Sequence, residues 1–414
     1  LWPRAFPPDV FSQIVAVIQH RAANNGQMRS ALLSILTAGA LLTPQPPAEA
    51  GPAAGCTPTA RPEGTAATIV GIAEAARRES GLSAVIVRVS AGGREIVTAA
   101  AGESTTGVPA TTDMRFRTGA VGITYLTMLL LQQAGKGVVG LDDPVARWYP
   151  ELPRAQDVTL RMLGSSTSGY PDYVTYQPFI DRLYADPFRH WTEPELIDLA
   201  LERPLWYEPG TNWSYSHANF VILGRILARA TGTPLAELIR RDILDPLGLH
   251  TTVAADTAEI PAPVLHGFTT ERGRYEDSTY WNPSWTTAAG AILTSDICDL
   301  ETSARAVGTG RLLSAADQRT LLDPGTVGLG GPTATCPATI CVHHTEEHHY
   351  GLGVVVQDGW IKQTPSFAGY AAVQAYLPGR DIAIAVATTR GRTTDDVNTA
   401  GTVTDRIAAE LTRS

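Results

Sequence analysis

Residues 113–150 decide the reading of this chain. They run Asp113-Met114-Arg115-Phe116-Arg117-Thr118-Gly119-Ala120-Val121-Gly122-Ile123, then Thr124-Tyr125-Leu126-Thr127-Met128-Leu129-Leu130-Leu131-Gln132-Gln133, and close near Lys136-Gly137-Val138-Val139-Gly140-Leu141-Asp142-Asp143-Pro144-Val145. The order predicts a short strand, a tight glycine turn and a helix of long apolar side chains.

A phenylalanine, a small residue and a glycine leading into a helix resemble the serine beta-lactamase and D-alanyl-D-alanine carboxypeptidase (penicillin-binding protein) superfamily, in its class C beta-lactamase-related branch. In that family the helix opens on Ser-x-x-Lys. Residues three apart share a helix face, so the lysine takes the serine proton as the hydroxyl attacks a carbonyl. Here Ala120 holds the serine position and Ile123 the lysine position. The two lysines of the chain, Lys136 and Lys362, follow Gln133 and Gly359 by three residues, so no Ser-x-x-Lys exists elsewhere. Removing such a nucleophile costs on the order of a million-fold in turnover.

Outward from this stretch the resemblance continues in order. Leu141-Asp142-Asp143-Pro144-Val145 leads to Trp148-Tyr149-Pro150, and Val158-Thr159-Leu160 to Thr167-Ser168-Gly169. Glu208-Pro209-Gly210-Thr211-Asn212-Trp213-Ser214-Tyr215-Ser216-His217 matches the family's second motif, Tyr-x-Asn, with histidine for asparagine. Ala289-Gly290, Thr294-Ser295-Asp296, Tyr350-Gly351-Leu352-Gly353 and Pro378-Gly379-Arg380 complete the series over roughly residues 66–412. The third motif, Lys-Thr-Gly or His-x-Gly, falls on Gln363-Thr364-Pro365. Lys362, one residue early, faces the other side of a regular strand, and Pro365 removes a backbone donor.

The resemblance implies an α/β (α+β) fold, beta-lactamase/transpeptidase-like, with an antiparallel sheet flanked by helices plus a mostly helical lobe. It implies a cleft holding Tyr215 and His217 over a floor of Ala120 and Ile123, with Gln363 and Thr364 at the substrate strand. The expectation is a pseudoenzyme with a binding or regulatory role at the cell envelope. It would recognise a peptidoglycan-like peptide, an ester, another small molecule or a protein partner, and need no cofactor. The alternative is a divergent hydrolase of esterase, beta-lactamase or D-Ala-D-Ala peptidase type, using Tyr215 and His217, with Thr118 or Thr124.

The remaining features set bounds. An apolar fraction of 44% and a charged fraction of 18% over 414 residues allow a sizeable core. A net charge of −9 offers no basic stripe for nucleic acid. Residues 1–27 read as an upstream extension or misassigned start, 28–50 as a signal peptide with a small-x-small cleavage site, 51–65 as a linker and 66–414 as the folded domain. Ala53-Ala54-Gly55-Cys56 weakly resembles a lipobox, which would anchor Cys56 to lipid. Cys336 and Cys341 can close a small disulfide loop in an exported protein, and Cys298 reads as a small core residue. Helical periodicity covers 65–80, the resemblance implies helices over 221–231 and 395–412, and Gly92-Gly93 separates two strands as a hairpin turn. His343, His344, His348 and His349 gather imidazoles densely enough to suggest zinc or copper, against the plainer reading of a polar surface loop.

Overall fold

The computed structural model describes residues 56–254, 257–394 and 398–413. The proposed upstream extension, the signal peptide and residues 51–55 of the linker lie outside them.

An antiparallel sheet is built around two long apolar strands, Tyr370–Leu377 and Ile382–Thr389, both buried almost throughout. Its order is Val108–Pro109, Arg94–Thr105, Ala84–Ala91, Ile382–Thr389, Tyr370–Leu377, Trp360–Gln363, Val355–Gln357 and His348–Tyr350, with Ser366–Phe367 pairing on Tyr370–Leu377. Gly92 and Gly93 both take positive φ, 57° and 74°, so Ala84–Ala91 returns directly as Arg94–Thr105.

Alternation divides the strands between two cores. Val85, Val87 and Val89, with Val373, Ile384 and Val386, face the helices Thr65–Glu79 and Thr399–Thr412 through Ile69, Ala73, Val403 and Ile407. Ala84, Ile86, Ala385 and Ala387 belong to the larger core on the opposite face. The last helix begins at Thr399, capped by the Asn398 side chain accepting from Gly401 N–H at 2.8 Å. The part of its expected span before Asn398 lies outside the described residues.

At the centre of the larger core runs the helix Val121–Gly135. Nearly every side chain on it is buried, as expected of a helix apolar on all faces. It is fed by Phe116–Arg117, the edge of a small sheet with Leu293–Ser295 and Val253–Ala254. Against it packs His217–Thr231, beginning four residues earlier than the resemblance implied.

Two disulfides close the molecule. Cys336–Cys341 forms the short loop expected. Cys56–Cys298 corrects two expectations together. Cys298 is not a free core thiol, and Cys56, its sulfur already bonded, cannot also carry the thioether lipid of a lipobox. Spacing gave no hint of a bond across 242 residues.

Candidate functional site

The turn into the central helix is dictated by close approach. Gly119 sits at φ 53°, and a Cβ there would lie 2.6 Å from Pro365 Cβ. Glycine is required twice over, for its backbone angle and for the space Pro365 occupies. Ala120 follows at the N-cap position, where its methyl supplies no capping oxygen. That methyl lines a cavity with Val174, His217, Trp285, Pro365 and Phe367. The cavity volume is about 60 Å³, against the roughly 300–1,000 Å³ usual for drug-sized ligands.

What fills the remainder is visible in the other expected positions. Ile123 is fully buried beneath Ala120 and does not reach the cavity floor. Tyr215 is also buried, its ring edge-on to His217 at 4.9 Å and against Phe220 and Tyr350. Burial foremost, with Tyr350, Asp172 and Tyr173 nearby, raises its phenol well above the ordinary range, so it is no proton acceptor at neutral pH. Thr118 and Thr124 donate to the carbonyls of Leu293 at 3.3 Å and Gly353 at 2.7 Å. Both are buried and unsuited to attack a bound molecule.

Gln363 and Thr364 likewise do not line the cavity. Gln363 Nε2 donates to Gly353 O, and the Thr364 carbonyl accepts from Asn398 Nδ2 at 2.6 Å. The wall that the resemblance assigns to them is built instead by Pro365, Ser366 and Phe367. Lys362 lies on the other face of the sheet, its ammonium 3.0 Å from Asp405 of the last helix.

His217 does face the cavity, and it has a partner that sequence reasoning missed. Its Nδ1 lies 3.0 and 3.1 Å from the two oxygens of Asp172. Asp172, 2% exposed, also accepts from Val174 N–H at 3.2 Å and His217 N–H at 3.3 Å through Oδ1. Ser216 provides no side-chain cap for the helix His217–Thr231. The Asp172 carboxylate therefore stands at that helix's N-terminus, where a negative charge is favoured. The clue available in the sequence was histidine in place of asparagine, since a buried imidazole calls for a partner.

The histidine cluster is divided between surface and core and is not a simple surface loop. Among the described residues, no group of three or more His, Cys, Asp or Glu side chains is placed to hold a metal ion. His343 is exposed, but His344 and His349 are buried. His344 packs on Trp213 at 4.3 Å, and burial pushes its imidazole down to about 3. His349 sits among the carbonyls of Leu322, Thr345 and Glu346. The cluster separates because strand His348–Tyr350 sends alternate side chains to opposite faces.

A mixed sheet-and-helix body with a small cleft at the start of its central helix is the architecture of acyl-transferring serine hydrolases. The chain belongs to the beta-lactamase family, whose model matches residues 69–409. It is 31% identical over 147 residues to penicillin-binding protein 4* of Bacillus subtilis, covering 34% of this chain and 31% of that protein. It is 31% identical over 174 residues to esterase EstB of Burkholderia gladioli, covering 39% and 44% respectively. The matched stretches thus span less than half the length of these relatives. Among solved structures, a D-stereospecific amidohydrolase from Streptomyces sp. aligns at TM-score 0.68 and 26% identity, over 80% of this chain and 96% of that one. The D-amino acid amidase from Ochrobactrum anthropi SV3 aligns at TM-score 0.71 and 21% identity, over 84% and 99%, a likeness of fold.

Proposed function

We propose that this chain is an exported member of the beta-lactamase family that has abandoned covalent acyl-serine chemistry. It acts at the cell envelope by holding a small, largely apolar acyl or amide compound in what remains of the cleft. One observation carries this reading: at the position of attack stands the Ala120 methyl, with the buried side chain of Ile123 where a proton acceptor would be. Neither group can form or break a bond to a carbonyl. The cavity of about 60 Å³ supports a compact ligand over a peptidoglycan-like peptide or a protein partner. The relatives' names, an esterase and an amidohydrolase, support the acyl or amide class. Two disulfides support an oxidising compartment.

Intact-protein mass spectrometry after incubation with benzylpenicillin, and separately with a fluorophosphonate, tests the loss of covalent chemistry. The mass of the wild-type protein is expected to stay unchanged. A stoichiometric adduct on any side chain would refute the reading.

A further inference from the structure

We propose that Asp172 and His217 form a water-activating dyad, which hydrolyses small activated esters without a covalent intermediate. The proposal rests on the cleft accepting small acyl compounds, and it names what the cleft does with them. Asp172 and His217 come from segments 45 residues apart and meet in a fixed geometry. The carboxylate is held by two backbone N–H groups, and both its oxygens lie within hydrogen-bond distance of Nδ1. In a neutral imidazole that arrangement favours the proton on Nδ1 and leaves Nε2 as the lone-pair acceptor. Among the described residues Nε2 has no hydrogen-bond partner, and His217 lines the cavity beside Ala120.

A base, an orienting carboxylate and an adjoining cavity next to a helix N-terminus are the recurring parts of a hydrolytic centre. The protein nucleophile is missing, and a water molecule substitutes for it. About 60 Å³ admits a water beside an acetyl-sized group but not a large acyl chain. The walls of Val174, Trp285 and Phe367 favour an apolar acyl methyl.

In the step, the water oxygen forms a bond to the ester carbonyl carbon as its proton passes to Nε2. The tetrahedral intermediate then expels the alkoxide or phenoxide, which takes that proton from Nε2. The products are a carboxylic acid and an alcohol, and the imidazole returns to its starting form. Nothing is oxidised or reduced. His217 is the catalytic residue, and Asp172 is a positioning residue.

The test is hydrolysis of p-nitrophenyl acetate by the full chain, followed with pH and by intact-protein mass. Wild type should show saturable turnover with no acetyl adduct. His217→Gln should lose roughly a hundredfold or more, the range of general-base catalysis. Asp172→Asn should lower kcat more than KM and displace the pH–rate profile, which a purely structural role would not do. Thermal melts of both variants establish that they are folded. If either is not, His217→Asn, the residue usual in the motif, must show the same loss. Equal rates in wild type and a folded His217 variant would overturn the dyad while leaving the absence of acyl-serine chemistry standing. An acetyl adduct on His217 would overturn the water step, whereas a penicillin adduct would remove the reading beneath it.

Discussion

His344 shows how a residue chosen for packing acquires a titration consequence. Its ring lies on Trp213, its Nδ1 is buried without a partner, and burial is the main cause of its depressed pKa of about 3. In the unfolded chain an imidazole titrates near 6.5. Above that pH both states are neutral and His344 contributes its full packing. As pH falls toward 3 the unfolded chain binds a proton that the native state refuses, so stability is lost at up to about 1.4 kcal/mol per pH unit. His348, lowered mainly by burial, acts in the same direction. His344→Phe should therefore leave stability at pH 7 nearly unchanged and flatten its decline between pH 6 and 4, as read by urea unfolding across that range. At this scale the sequence was legible where a residue was lost and opaque where one was gained. Ala120 and Ile123 announce an absence by identity alone. Asp172 gains its meaning only when folding brings it to His217.

At the scale of elements, the central helix is the most constrained piece. Gly122 lies against the Ala291 carbonyl so closely that an added Cβ would collide with backbone. Backbone cannot swing aside like the end of a flexible side chain, so Gly122→Ala should destabilise by about 1–3 kcal/mol despite alanine's better helix propensity. A guanidinium-chloride denaturation series would measure it, with Gly135→Ala, which meets open space at the exposed end of the same helix, as the neutral or mildly stabilising control. Elements such as this one were readable because an unbroken apolar run and the Gly92-Gly93 turn are local signals. The start of the helix His217–Thr231 was not, since the carboxylate at its N-terminus arrives from a distant segment.

Across the whole molecule, the two disulfides play unequal parts. Cys56–Cys298 closes a loop spanning most of the domain and staples the first described residue to the helix Ile297–Thr309. Cys336–Cys341 closes only a surface turn. Because the stabilisation grows with loop length, Cys56→Ser/Cys298→Ser should lower unfolding free energy by about 2–4 kcal/mol. Cys336→Ser/Cys341→Ser should cost less, and chemical denaturation of both variants under oxidising conditions would show the order. Fold class was legible from motif order over some three hundred residues. The long bond was not, because no local pattern reports which sulfurs a finished fold brings together.

Ile123 has a further meaning for the history of such a protein. It is wholly enclosed by the core, so restoring a lysine there would sink an ammonium among hydrocarbon before any nucleophile existed to use it. Restoring serine at Ala120 first would give a hydroxyl with the His217 imidazole nearby but no lysine on its own helix face. On the proposed reading the lysine step is costly before it is useful, so selection can elaborate the cleft around His217 more readily than it can rebuild a serine–lysine pair.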